Sequence, residues 1–423
     1  MNIHDSEKMM GLLSEGGYSS TDNPEQADLI IFNTCAIREK AEHKFYSQLG
    51  RARGLKKKNK ELKIAVAGCV AQDAKGKIFG KAPFVDYVLG PQNIHMINDL
   101  LSKNQDIATE ENHDIALNEF TARRQSNIKA WVSIMYGCNN FCSYCIVPYT
   151  RGRERSRPSS SIISEIKDLA RRGYREVTLL GQNVNSYRSD IGFADLLKEI
   201  DAINLNRVRF VTSHPRDLSD DLISALADLR SLCEHIHLPL QSGSDSILKS
   251  MNRGYAYEEY SAKIDLLRKR VSGIAITADI IVGFPGETDE DYLQTVKALR
   301  EIEFDGIFAF KYSKRKGTKA FEMPGQISEH IKAERLSGIL SLQEEITYRK
   351  NKELEGSVQE VLIEGPSETD LLMLSGRTRS NKIVTIPDSS EKIGSLISVR
   401  ICKARLHSLS GVNTALDTAL TSK

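Results

Sequence analysis

What the chain lacks narrows its class first. One tryptophan and eleven prolines are scattered through 423 residues, and no run reaches the roughly 18 consecutive apolar residues a membrane-spanning helix needs. The opening MNIHDSEKMM has no charged leader followed by an apolar core. Both absences lead us to expect a cytoplasmic protein with no membrane association. Charge of one sign is scarce as well: a net +2 gives no general attraction for nucleic acid, so any such contact must come from local patches. With 40% hydrophobic and 27% charged residues, the composition excludes disorder and fits folded domains. At roughly 150 residues per domain, the length allows two or three.

Cysteine is sparse but unevenly placed. Of seven cysteines, three fall within the eight positions from Cys138 to Cys145. That is not the spread framework of a secreted disulfide protein and points to metal or redox chemistry in a reducing compartment.

ADLIIFNT, from Ala27, and LKIAVAG, from Leu62, read as buried strands separated by a stretch of helical composition. Strand, helix, strand predicts a parallel α/β unit. Each strand is followed by a cysteine, Cys35 and Cys69, and ligands gather at the carboxyl ends of such strands. After a polar stretch, six apolar runs follow: Ala130 to Gly137, Glu176 to Gly181, Val208 to Ser213, His235 to Leu240, Ile274 to Phe284 and Gly306 to Ser313. Segments with apolar residues every three or four positions separate them. Six strand–helix repeats predict a complete or partial parallel barrel of the TIM type, with its site at the carboxyl ends of the strands. A polar helix from about Ser328 to Leu354 then leads into short alternating runs punctuated by turn residues, which predict a small antiparallel barrel.

Cys138, Cys142 and Cys145 stand in YGCNNFCSYCIVPYTRGRERSRP, just after a predicted strand. Three thiolates on one loop suffice for three irons of a [4Fe–4S] cube. The fourth iron is then left open, the arrangement S-adenosylmethionine needs to chelate it and be cleaved by one electron. A redox CxxC pair, or half of a zinc site, is the alternative reading of Cys142 and Cys145.

The string GCNNFCSYCIVPYTRGRERSRP resembles the signature loop of the bacterial tRNA methylthiotransferases of the MiaB type, within the radical S-adenosylmethionine superfamily. NTCAIREKAE, AGCVAQ, LLGQNVNSY, RFVTSHP, HLPLQSGS, MNRGY, DIIVGFPGET and YSKRKGTKA match as well, so the resemblance covers nearly the whole chain. It implies a flavodoxin-like methylthiotransferase domain (1–105), a radical barrel (124–354) and a TRAM RNA-binding domain (355–418). It further implies that carbon 2 of an isopentenylated adenosine beside the tRNA anticodon exchanges hydrogen for methylthio. S-adenosylmethionine would supply radical and methyl, and a second, auxiliary [4Fe–4S] cluster would pass on the sulfur. A monomer is expected, served by an electron donor such as flavodoxin or ferredoxin, by a sulfur source and by the anticodon stem-loop. The family's pattern opens with a strand and a Gly-Cys-Gln-Met-Asn segment; here Met1, Asn2, Asp5 and Ser6 match its tail. The first strand and one of three auxiliary cysteines are therefore expected to be missing, leaving Cys35 and Cys69. Their other reading is two ordinary buried cysteines. Rival functions are methylthiolation of threonylcarbamoyladenosine or of a ribosomal-protein aspartate and, from another class, an RNA-binding scaffold with a structural metal.

Gly181, Gln182 and Asn183 follow a predicted strand, as do Ser213 and, in GFPGET, Gly283 and Pro285. All six are candidates to contact S-adenosylmethionine, with plain turns as the alternative. His214 and His237 are either polar groups at the site or structural residues. Arg151, Arg153, Arg155 and Arg157 alternate after the cysteine loop and are candidates for phosphate or the cofactor carboxylate. Lys56, Lys57 and Lys58 read as solvated surface, and Cys233 and Cys402 as packing residues. Arg377, Arg379, Lys382, Arg400, Lys403 and Arg405 make a denser basic set in the last domain, for which RNA binding is expected.

Overall fold

The computed structural model describes residues 1–34, 39–103, 106–117, 122–387 and 392–415, without the side chains of 39–43. Cys35 lies outside the described residues.

The N-terminal unit begins with helix α1 (Asn2–Glu15) and carries a parallel sheet of β1 (Leu29–Thr34), β2 (Lys63–Gly68), β3 (Tyr87–Leu89) and β4 (Ile107–Ala108) in that order. β2 is apolar almost throughout and buried, with Ile64, Val66 and Ala67 fully covered, as expected of a parallel strand covered on both faces. β1 pairs along its whole length with β2, from Leu29↔Lys63 to Thr34↔Gly68. It is the sheet's edge and only half-buried.

The barrel is split in two. β5 (Lys129–Ser133), β8 (Glu176–Leu180) and β9 (Arg207–Phe210) form one parallel sheet, and β10 (His235–His237), β11 (Ala275–Val282) and β12 (Gly306–Lys311) another. The bridge Val208↔Leu232 ties them at one point. Two-stranded β6 (Met135–Tyr136) and β7 (Arg155–Ser156) sit beside the mouth. Alternation places Val177, Leu179, Val208, Phe210, Ile236, Ile276 and Ile280 under the surrounding helices in one core, while their neighbours face the barrel interior.

Helix Glu329–Lys352, capped by Ser328 accepting from the Ile331 N–H, carries the chain to the last unit. There β13 (Val358–Pro366), β14 (Met373–Thr378), β15 (Ile383–Pro387), β16 (Leu396–Ala404) and β17 (Leu409–Asn413) close a barrel in the order 13-14-15-17-16. The expectation of a wholly antiparallel barrel needs one correction: β15 and β17 run parallel, Val384↔Leu409 and Thr385↔Ser410, and that pairing closes the ring. Among the described residues no helix is long and apolar enough to cross a membrane.

Candidate active site

The cysteine loop leaves β6 through Gly137, whose φ is +73°. A Cβ there would lie 2.0 Å from the Arg153 carbonyl oxygen, so only glycine lets the two segments meet. The Cys138 N–H donates to the Gly152 carbonyl at 3.1 Å, and the Cys145 N–H to the Cys142 carbonyl at 2.9 Å. All three thiols are unpaired and half-buried. Burial pushes Cys138 up to about 11 and Cys145 up to about 12, and each feels the charge of Cys142. Taking up iron must therefore expel protons from this loop.

Among the described residues no three His, Cys, Asp or Glu side chains converge to hold one metal ion. A cube takes one thiolate per iron.

A second segment grips this loop from outside. The Ser143 N–H donates to the Met251 carbonyl at 3.0 Å and Ser143 Oγ to the Ser250 carbonyl at 2.7 Å. Asn252 Nδ2 donates to the carbonyls of Asn140 and Phe141, and Arg253 Nη1 lies 3.2 Å from Cys142 Sγ. From the strand β9 side, Arg216 Nη2 holds Asn140 Oδ1 at 2.5 Å.

The carboxyl ends of the barrel strands collect buried polar atoms without partners: both amide atoms of Gln182, Asn183 Oδ1, Ser213 Oγ, His214 Nε2 and Gln241 Oε1. Buried polar groups are normally hydrogen-bonded, and these six exceptions, among others elsewhere in the chain, lie where a barrel binds its ligand. Two non-glycine residues with positive φ lie there too, Thr212 at φ 70° and Gln241 at φ 75°. A β-branched residue in that region is held by its surroundings, and such outliers cluster at ligand sites.

Gln182, Asn183 and Ser213 thus carry atoms ready for a polar ligand. Gly181 marks a tight approach, where a Cβ would lie 2.5 Å from Met135 Cγ. The Gly283 N–H already donates to Glu287 Oε2 at 2.6 Å, in a loop held by Arg335 on Glu287, and Pro285 is buried beside it. His214 is buried and pushed down to about 2, first by desolvation and then by Arg253 and Arg216. It stays neutral and accepts from the Arg216 N–H. His237 bonds Thr277 Oγ1 at 3.0 Å, lies 3.6 Å from Asp279 and meets the exposed Phe308 ring edge-on.

The alternating arginines do not share a face, because the extended stretch at β7 is only two residues long. Arg151 is buried on Asp5 and also takes the Cys69 thiol as a partner. Arg153 stacks on Phe141, Arg155 pairs with Glu111 and Arg157 with Glu165. Cys69 itself is 1% exposed and follows Gly68, where φ is +88° and a Cβ would lie 2.5 Å from Asn33 Oδ1. The register Thr34↔Gly68 puts Thr34, the last described residue of β1, beside the residue before Cys69.

Three domain families match the chain in order: the uncharacterized protein family UPF0004 over residues 1–90, the radical SAM superfamily over 132–299 and the TRAM domain over 352–412. The tRNA-2-methylthio-N(6)-dimethylallyladenosine synthase of Thermodesulfovibrio yellowstonii is 54% identical over 97% of this chain and 96% of its own length. That of Syntrophus aciditrophicus is 50% identical over 97% and 92%. The chain belongs to the tRNA-2-methylthio-N(6)-dimethylallyladenosine synthase family. A solved structure of the radical S-adenosylmethionine methyltransferase TsrM from Kitasatospora setae, with tryptophan and a cofactor analogue, shares the fold. Its TM-score is 0.58 at 16% identity, covering 86% of this chain and 76% of that one. As a radical SAM protein the chain works with a [4Fe–4S] cluster and S-adenosylmethionine.

Within the TRAM domain the basic set divides. Arg379 bonds Glu234 at 2.8 Å and the Leu232 carbonyl at 2.6 Å. Lys382 reaches Asn351 and Asp305, and Arg377 turns to Asn381 and Glu364. From the other side, the fully buried Arg207 bonds Glu360 and the Arg377 carbonyl, while Arg209 takes the carbonyls of Thr378 and Arg379. Arg379 and Lys382 therefore fasten the TRAM domain to the barrel rather than standing out toward RNA, and Arg377 helps build that seam. Arg400, Lys403 and Arg405 are exposed on and just after β16.

Two minor expectations are corrected. Cys402 is exposed, not packed, because strand alternation turns it outward next to the inward Ile401; Cys233 is buried as expected. Lys56 is no solvated charge but pairs with Asp86.

Proposed function

We infer that this chain replaces the carbon-2 hydrogen of an isopentenylated adenosine beside the anticodon with a methylthio group. The carrying observation is identity of about half over nearly the full length of synthases named for that product, together with a cysteine loop of the matching form. Cys138, Cys142 and Cys145 would hold the radical [4Fe–4S] cluster, and that group would supply the one-electron chemistry by which S-adenosylmethionine yields a radical able to attack an unactivated carbon–hydrogen bond.

The residues of the chain then have separable roles. Gln182, Asn183 and Ser213 offer the unpartnered polar atoms that take the amino acid end of S-adenosylmethionine, while Gly181 lets the strand end approach it. Neutral His214 offers Nε2 to the same crevice without adding charge. Cys69, at the sheet end beside Arg151, provides a thiolate for an auxiliary cluster fed by a sulfur source, and Cys35, outside the described residues, provides another. Arg400, Lys403 and Arg405 meet phosphates of the anticodon stem-loop, holding the substrate while the barrel interior receives the base. Electrons come from a small donor protein such as a flavodoxin or ferredoxin.

The test is nucleoside mass spectrometry of tRNA from cells lacking the gene. The methylthio derivative of isopentenyladenosine should vanish and its unthiolated precursor accumulate. Unchanged nucleosides would overturn this reading, and loss of a methylthiolated threonylcarbamoyladenosine instead would replace it.

A further inference from the structure

Six arginines are deeply buried among the described residues: Arg151, Arg157, Arg207, Arg209, Arg253 and Arg335. Five have a carboxylate partner, namely Asp5, Glu165, Glu360, Glu176 and, for Arg335, both Glu287 and Asp289. Arg253 alone among them has none. Its Nε bonds Tyr255 Oη at 3.1 Å, Nη2 bonds the Pro239 carbonyl at 3.1 Å, and Nη1 faces Cys142 Sγ at 3.2 Å and Tyr144 Oη at 3.5 Å. A buried guanidinium without a counter-charge is costly. The one partner that becomes anionic when the site is loaded is the Cys142 sulfur.

We propose that Arg253 is a positioning residue that supplies the fixed counter-charge of the radical cluster and raises its reduction potential. The proposal rests on the reading of Cys138, Cys142 and Cys145 as the ligands of that cluster. Three thiolates on a cube of charge +2 leave one net negative charge, and reduction makes it two, so a positive charge held against one ligand sulfur favours the reduced state. Net charge and hydrogen bonds to sulfur are the levers by which a protein sets such potentials. The surrounding turn suits this role, since Ser250, Met251 and Asn252 hold the loop through Ser143, Asn140 and Phe141, which keeps the guanidinium at a constant distance from Cys142. The same group reaches the Pro239 carbonyl just beyond β10, so the charge is anchored to the barrel rather than to the loop it serves.

The test is a redox titration followed by electron paramagnetic resonance on the full chain, reconstituted with iron and sulfide in a Cys69→Ala background so that the radical cluster gives the only signal. Arg253→Gln should disfavour the reduced cluster at least tenfold, about 59 mV lower for a one-electron couple. Arg253→Lys, which keeps the charge, should fall by less than half as much. A loaded Arg253→Gln cluster within threefold of the parent would overturn the proposal. Absence of any cluster in the Cys69→Ala parent would instead overturn the ligand assignment beneath it. Thermal melting of the iron-free proteins provides the second readout. Without the cluster the charge has no anionic partner, so Arg253→Gln should melt no lower than the parent. A clear drop with an unchanged reduction potential would show that the arginine is only a packing element, and the proposal would fail.

Discussion

Arg151 Nη2 lies 2.8 Å from Asp5 Oδ2, a buried ion pair that joins the helix after the cysteine loop to the first helix of the N-terminal domain. The same guanidinium bonds Asn2 Oδ1 at 3.0 Å and takes Cys69 as a partner. One side chain from the radical barrel therefore organises both the domain junction and the thiol end of the N-terminal sheet.

Breaking this pair from one side should be severe. Asp5→Ala leaves a buried guanidinium without a carboxylate, and we expect a loss of about 3 to 5 kcal/mol in chemical denaturation. Removing both charges with Asp5→Ala and Arg151→Met together should recover part of that loss. A double variant no more stable than Asp5→Ala would show that the charge imbalance is not the cause.

Cys138→Ala, Cys142→Ala and Cys145→Ala should each reduce reductant-dependent formation of 5′-deoxyadenosine to background, because a cube with two thiolates has no single defined open iron. Chromatography of the product nucleoside decides it. Near-parental cleavage in any one of the three would remove that residue from the ligand set.

The divided basic set of the TRAM domain makes a paired prediction for tRNA binding. Replacing Arg400, Lys403 and Arg405 with alanine should lower the log–log salt slope by about 0.7 to 0.9 for each phosphate no longer neutralised. Arg379→Ala should leave that slope in place and lower the melting temperature instead, since its partners are Glu234 and the Leu232 carbonyl. Filter binding across a salt series, with melting curves on the same proteins, separates the two effects.

Stability should also depend on pH through buried histidine. Burial, with Arg209 and His237 adding to it, pushes His235 from 6.5 down to about 3. Between those values the unfolded chain binds a proton that the folded chain refuses. The stability contribution is therefore complete above pH 6.5 and is lost as pH falls toward 3. His235→Asn should flatten the denaturation midpoint over pH 4 to 6.5 relative to the parent. His214, pushed down to about 2 by burial, acts in the same direction and will leave a residual slope.

The order of three domains, the six barrel strands and the cysteine loop were legible in the sequence because each rests on local pattern. Continuous apolar runs such as IIVGF mark buried parallel strands, the 3.6-residue period marks their covering helices, and three thiols in eight positions need no distant partner to be recognised. The place of Gln182, Asn183 and Ser213 at the ends of barrel strands was legible for the same reason. Charge was not. Nothing local tells Arg379, fastened to Glu234 across 145 positions, from Arg400 on the exposed face of β16, because the partner that decides burial is remote in the chain. Arg253 passed unnoticed within MNRGY, since its distinguishing property is the lack of a carboxylate among the groups that folding brings around it. The sequence by itself determined the elements, their order and the thiol loop. The tertiary structure decided which charges are buried and what they face, because desolvation and pairing depend on neighbours that only the folded chain assembles.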